Sequence, residues 1–239
     1  MSRAQGNPRV ATGMNRQLAT RRRTLSRGAT AIGWKVGFGS PSAHELMQIT
    51  SPLVGYLTSS TKFESGAQIA VTGWKQAMVE FEVAVYIGAD LDAGAGEEDI
   101  RSAISALGPA IELADVDLPV EAAGIEAILA RNIFHKGVIL GDPDENRAGL
   151  DITDLVARVL IDGQERFTTR DLQTIAGSHT TAVATVANTL SAGGEMLRAG
   201  DVIITGSIFQ PIHVTESTEF TFALDPFDPI SVEIDRSRG

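Results

Sequence analysis

The chain has no cysteine, which excludes disulfides, thiolate nucleophiles, iron–sulfur clusters and cysteine-held zinc together. No apolar run reaches the roughly 18 residues of a membrane-spanning helix, so no membrane span is expected. Three catalytic signatures are also missing. The four histidines (His44, His135, His179, His213) lack zinc-ligand spacing. No G-x-S-x-G elbow occurs, and Gly37-Phe38-Gly39-Ser40 lacks the spacing and lysine of a phosphate loop. Ser178-His179 reads as a helix cap rather than a dyad.

Acid is absent from the first 44 residues. Arg3, Arg9, Arg16, Arg21, Arg22, Arg23, Arg27 and Lys35 stand there unopposed until Glu45, although the whole chain carries a net charge of −10. Such an arm reads as an organellar transit peptide, as a segment for nucleic acid or an anionic membrane surface, or as a plain surface helix running into a first strand. The acidic remainder argues against nucleic acid as a partner, because counterion release needs a broad cationic face. With 239 residues, 43% of them hydrophobic, the chain can bury a substantial core as one large domain or two small ones.

Residues 1–12 read as disordered, and residues 13–27 as a weak helix with Met14, Leu18 and Leu25 on one face. A strand follows from Ala31 into a glycine-rich turn, and a short helix is expected from Ser42 to Met47. From Val79, alternation sends Val79, Phe81, Val83 and Val85 one way and Glu80, Glu82, Ala84 and Tyr86 the other. A helix is expected from Glu97 to about Leu107, a strand over Pro109–Leu113, a helix near Val120–Arg131 and a strand over Lys136–Leu140. Asp162-Gly163 signals a hairpin, and Ser178 caps a long helix. Further strands are expected at 202–205, 220–224 and 230–234. Helices scattered among more numerous strands, without regular βαβ alternation, indicate an α+β fold.

Glu80-Phe81-Glu82 places two carboxylates on one strand face that is not obviously solvated. Each raises the pKa of the other unless a cation compensates, and Mg2+ or Mn2+ suits an all-oxygen site. Glu112 is a third acid in an apolar strand. The plain alternative is an exposed strand face. Lys35, within Gly33-Trp34-Lys35-Val36-Gly37, reads either as a buried ammonium or as an edge-strand lysine that discourages pairing.

These blocks carry a resemblance: Gly33-Trp-Lys-Val-Gly, Pro52-Leu-Val-Gly-Tyr-Leu, Val79-Glu-Phe-Glu-Val-Ala-Val, Pro109-Ala-Ile-Glu-Leu-Ala-Asp, Val186-Ala-Asn-Thr-Leu and Leu197-Arg-Ala-Gly-Asp-Val-Ile-Ile-Thr-Gly-Ser. In this order they resemble the fumarylacetoacetate hydrolase superfamily, in its 2-keto-4-pentenoate hydratase and 4-oxalocrotonate decarboxylase branch. The resemblance covers residue 28 to the C-terminus. It implies a mixed β-roll with flanking helices, a basic arm or helix over residues 1–27 and a single catalytic domain over 28–239. It also implies Mg2+ or Mn2+ on Glu80, Glu82 and Glu112, with Lys35 approaching a small unsaturated 2-oxo acid. A cytoplasmic homo-oligomer is expected, with a hetero-complex with a pathway enzyme as a further partner.

The chain departs from the branch in two places. Ser65-Gly66 stands where hydratases carry Asp-Gly, and Ala130-Arg131-Asn132-Ile133-Phe134 where they carry Ala-Asp-Asn-Ala-Ser. Ser65 is thereby the catalytic position by alignment, with His135 as its substitute acid or base or else a plain core or surface histidine. Arg131, Asn132, Phe134 and Ser207 are the expected substrate contacts. Hydration is the expected activity; decarboxylation, tautomerisation and a non-catalytic partner subunit are the alternatives.

Overall fold

Asn7 accepts a hydrogen bond from the backbone N–H of Arg9, and Pro8 takes the first helical position, so helix α1 (Pro8–Ser26) starts inside the stretch expected to be disordered. The computed structural model describes residues 7–120 and 122–237, and the disorder expected for residues 1–6 lies outside them. In chain order β1 (Ala31–Gly37), α2 (Pro41–Met47), β2 (Leu53–Thr58), β3 (Lys62–Phe63), β4 (Ala67–Ala70) and β5 (Ala77–Ile87) follow. Next come α3 (Glu97–Ala103), β6 (Ile104–Asp115), α4 (Ile125–Ala130), β7 (His135–Leu140), β8 (Val156–Ile161) and β9 (Gln164–Thr169). Helix α5 (His179–Ala192) precedes β10 (Val202–Ser207), β11 (Ile212–His213), β12 (Thr218–Asp225) and β13 (Ile230–Asp235).

Two of the expected helices are shorter than their sequence suggests. The chain leaves α3 after Ala103, because Ile104 to Leu107 pair with β5 as the start of a long strand. An apolar run of that length satisfies either period, and the partner strand decides. The segment expected as a helix from Val120 is helical only from Ile125.

The strands form two sheets. The larger runs β2-β1-β10-β5-β6-β7-β3, with β11 also on β5, and the smaller runs β4-β13-β12-β8-β9. Parallel pairs (β1 with β10, β3 with β7, β4 with β13) sit among antiparallel ones, which is the mixed α+β arrangement expected. One face of β5 packs toward the smaller sheet, where Phe81 meets Phe220 and Phe222 at ring separations of 6.2 and 5.4 Å.

Helix α1 buries Gly13, Met14, Gln17 and Leu18 along one stripe. Gln17 Nε2 donates to Leu129 O at the end of α4, and a Cβ on Gly13 would come within 2.7 Å of Leu129 Cδ1, so only glycine permits this approach. Two of its arginines meet acids, Arg9 on Glu126 and Arg22 on Glu195, and Arg21 stacks over Trp34 at 4.5 Å. Residues 8–26 thus behave as a packed surface helix.

The other face of the larger sheet holds the site. Residues directly opposite in a ladder share a face. The register pairs Glu80 with Glu112, Glu82 with Ala110, Ile204 with Ala84, Lys35 with Ile204, and Gly55 with Lys35. At one end this face is closed by Leu57, Ala84, Ala110, Val138, Val202 and Ile204. At the other it carries Lys35 and the three acids.

Candidate active site and metal centre

Glu80 and Glu82 come from β5 and Glu112 from β6, and one ligand oxygen of each lies within 4.8 Å of the others. Glu82 and Glu112 are fully buried, and Glu80 is half-buried on the wall of a cavity of about 390 Å³. Lys35 lines the same cavity and donates from Nζ to Glu112 Oε1 and, at 3.4 Å, to Ile133 O. Lys35 is therefore the buried ammonium and not the edge-strand lysine; β2 covers its strand on one side and β10 on the other. A second cleft of about 320 Å³, between α1, α5 and residues 48–54, is lined by no ionisable side chain.

Burying three carboxylates beside one ammonium is expensive, and it displaces the protonation of each group. Burial, then Glu112 and Glu80, pushes Glu82 well above the carboxylate range. Burial and then Glu112 push Glu80 up to about 7, against the pull of Lys35. Burial would raise Glu112 too, but the Lys35 charge and the His135 hydrogen bond outweigh it and hold this carboxyl below its ordinary value. Burial would lower Lys35, but Glu112, Glu80 and Glu82 together hold it above the usual lysine value, so it stays an ammonium.

The donor set fits a hard divalent cation. Glu82 Oε2 accepts from Gly206 N at 2.6 Å and Glu112 Oε1 accepts from Lys35, while Glu82 Oε1 and Glu112 Oε2 are buried without a partner. Unpartnered buried oxygens are costly, and an all-oxygen set whose three acids, once ionised, exceed the Lys35 ammonium by two charges suits Mg2+ or Mn2+.

Three further expected site residues do not line this cavity. Ser65 is exposed in the turn before β4, where its Oγ accepts from Ser231 N of the smaller sheet, and it does not line the cavity. Arg131 is exposed and turned to Asp117 at 3.0 Å. It faces a separate polar recess and not the acids. His135 is buried behind Glu112: Nδ1 lies 2.8 Å from Glu112 Oε1, Nε2 lies 3.0 Å from Thr61 Oγ1, and the ring borders that same recess.

Asn132 is close to the site but occupied. Its Oδ1 accepts from Tyr56 N and its Nδ2 donates to Tyr56 O, both at 2.8 Å, so the amide acts as a one-residue partner for the edge strand β2. Asn132, Ile133 and Phe134 all have positive φ (53°, 52° and 63°), an unusual run for non-glycine residues and a strained one at a β-branched isoleucine. The turn presents Ile133 and Phe134 to the cavity as an apolar wall. Phe134 and Ser207 both line the cavity, and Ser207 Oγ is buried there without a partner.

Two contributors are missing from the sequence reading. The Gly206 N–H fixes Glu82, which no side-chain pattern reveals. His213 reaches the cavity because the two-residue strand β11 sets it opposite Met78, on the face of Glu80 and Glu82. The face is legible from the alternation of β5, but β11 is too short to leave a periodic signal.

A family model for the fumarylacetoacetate hydrolase C-terminal domain matches residues 33–237, and the chain belongs to that family. Among curated relatives, a 2-hydroxyhexa-2,4-dienoate hydratase of Comamonas testosteroni is 26% identical over 209 residues, covering 86% of this chain and 79% of its own. A 4-oxalocrotonate decarboxylase of a Pseudomonas species is 27% identical over 186 residues, covering 77% and 70%. Among solved structures, 4-oxalocrotonate decarboxylase from Pseudomonas putida G7, complexed with magnesium and adipate, superposes with a TM-score of 0.82 at 23% identity, over 91% of this chain and 83% of that one. The relatives fall in the branch that the sequence blocks resemble.

Proposed function

We propose that this protein is a divalent-metal-dependent lyase that hydrates a small 2-hydroxydienoate, the enol tautomer of an unsaturated 2-oxo acid. One arrangement carries the reading: three carboxylates from adjacent strands converge with a buried ammonium on one wall of an open cavity. The relatives named as hydratases of dienoates and 2-oxo acids support it. Glu80, Glu82 and Glu112 would hold Mg2+ or Mn2+, which when bound supplies Lewis acidity to the carboxylate and C2 oxygen of such an acid.

The chain's own groups do the rest. An ammonium carries three protons; Lys35 directs one to Glu112 and one toward Ile133 O, and the third is available to a substrate oxygen. Ile133 and Phe134 face the hydrocarbon tail and limit water on that side. His213 stands exposed at the cavity rim, between the acids and solvent. A cytoplasmic homo-oligomer completes the reading.

The second reading is decarboxylation of 4-oxalocrotonate. Ser65 lies outside the cavity and the wall is apolar, an arrangement that asks less of a water-activating base. The test is to incubate Mg2+- or Mn2+-loaded protein with 2-hydroxypenta-2,4-dienoate, 2-hydroxyhexa-2,4-dienoate and 4-oxalocrotonate, following conjugated absorbance and CO2 release. Absorbance loss without CO2 on the dienoates supports hydration. CO2 release from oxalocrotonate alone moves the assignment to decarboxylation. No turnover of any of the three refutes both.

A further inference from the structure

We propose that His135 is a positioning residue for Glu112: together with Lys35 it occupies Oε1, so that Glu112 offers a bound metal Oε2 alone. The inference rests on the metal site described above. Glu112 Oε1 meets both Lys35 Nζ and His135 Nδ1, while Oε2 is buried with no partner. An ionised carboxylate only accepts hydrogen bonds, so Nδ1 must carry the proton that lies between it and Oε1. Nε2 then faces the Thr61 hydroxyl at 3.0 Å, whose proton is shared between Nε2 and Thr58 O at 3.2 Å. The imidazole is held at both nitrogens, and through it the carboxylate is held in one rotation.

The backbone is built to put His135 there. Between Leu113 and Ala114 the β6–β7 register shifts: Leu113 is opposite Gly137, but Ala114 is opposite His135. The bulge takes up Lys136, which turns to solvent, and brings His135 onto the face of the acids. With regular pairing His135 would point to the opposite face and Glu112 would have only Lys35 on Oε1. A partner that orients a ligating group commonly changes metal affinity strongly without touching the metal.

Asparagine and glutamine separate this role from simple filling of space. The Asn amide nitrogen is two bonds from Cβ, as Nδ1 is, whereas the Gln amide nitrogen is three bonds away, as Nε2 is. His135→Asn therefore keeps the donor to Glu112, and His135→Gln keeps only a partner for Thr61. Mn2+ affinity of the purified full chain is measured by calorimetry, with thermal unfolding of the metal-free proteins as the folding control. H135N is expected to bind Mn2+ like the wild type, and H135Q about ten- to a hundredfold more weakly. A packing role predicts the reverse order, because Gln is nearer to His in volume. Equal affinities in all three proteins, or a loss in H135N as large as in H135Q, overturn the inference while leaving the metal site standing. If H135Q does not fold, the H135N affinity alone decides, and a tenfold loss there overturns it. A wild type that binds no Mn2+ removes the metal site and the inference with it.

Discussion

Asn132 is where the fold holds the strained wall of the cavity, and its replacement should be felt in both stability and binding. In Asn132→Ala the N–H and C=O of Tyr56 lose their partners together, because one amide serves both at 2.8 Å. A partly buried backbone group left unpaired costs about 1–2 kcal/mol, so the pair is worth about 2–4 kcal/mol. Because 1 kcal/mol corresponds to about 2–4 °C in a chain of this length, Tm should fall by roughly 4–16 °C. The left-handed run at Asn132, Ile133 and Phe134 persists only while its surroundings impose it. Once the clamp is gone the turn should relax, and Ile133 O should withdraw from Lys35. Asn132→Asp sharpens the test. A carboxylate matches the amide in shape and can accept from Tyr56 N, but it sets an oxygen against Tyr56 O where a donor stood. It should therefore be at least as damaging as alanine. Urea unfolding gives the stability, and calorimetric titration with 2-oxohexanoate in the presence of Mn2+ gives the binding. An aspartate variant as stable as the wild type, or an alanine variant within about 0.5 kcal/mol of it, would refute the clamp.

Lys35→Met leaves Glu112 buried without its cation, which should lower metal-free stability by about 3–5 kcal/mol, with most of the loss recovered on adding Mn2+; unchanged Tm in the metal-free variant would show that the ammonium does not offset the acids. Gly55→Ala should destabilise by about 1–3 kcal/mol and weaken Mn2+ binding, because its Cβ would fall 2.7 Å from Lys35 Cγ and 3.0 Å from Asn132 Oδ1; chemical denaturation with parallel metal titration checks both. Arg131→Ala and Ser65→Ala should each leave turnover intact and cost less than about 1 kcal/mol, and a large loss of kcat in either would return that residue to the active site.

The parts of the site legible in the sequence are those set by strand period. Alternation alone puts Glu80 and Glu82 on one face, and an acid within the apolar run of Glu112 belongs to the same kind of surface. Lys35 was ambiguous because the neighbours of its strand are 20 and 169 residues away, at Gly55 and Ile204. The placement of His135 and Arg131 is hidden in the sequence for a different reason. Each is aimed by irregular backbone, the left-handed turn at 132–134 and the β6–β7 bulge, which no periodic pattern announces. The start of α1 was readable after all, since Asn7-Pro8 is a cap followed by a proline at the first helical position.

The uneven charge of the chain becomes intelligible from the same sheet. Between β1 and β5 lies β10, which contributes Val202, Ile204 and the Gly206 N–H, and no charge of its own. The single cation of the site therefore comes from the acid-free N-terminal stretch, and all three anions come from the acidic remainder. This separation has a physical use. Glu80, Glu82 and Glu112 are set on neighbouring strands by local antiparallel pairing, so their mutual repulsion is imposed as soon as β5 and β6 meet. Lys35 relieves only part of it. With its three acids ionised the site would carry net −2, a charge that a divalent cation offsets and that Lys35 alone does not. The small side chain of Ala114 leaves room in the cavity beside the acids, and the apolar plug that includes Ala110 keeps water from screening the site from beneath. The fold thus keeps its acids under strain on the side open to a ligand, and seals them on the side where hydration would have satisfied them.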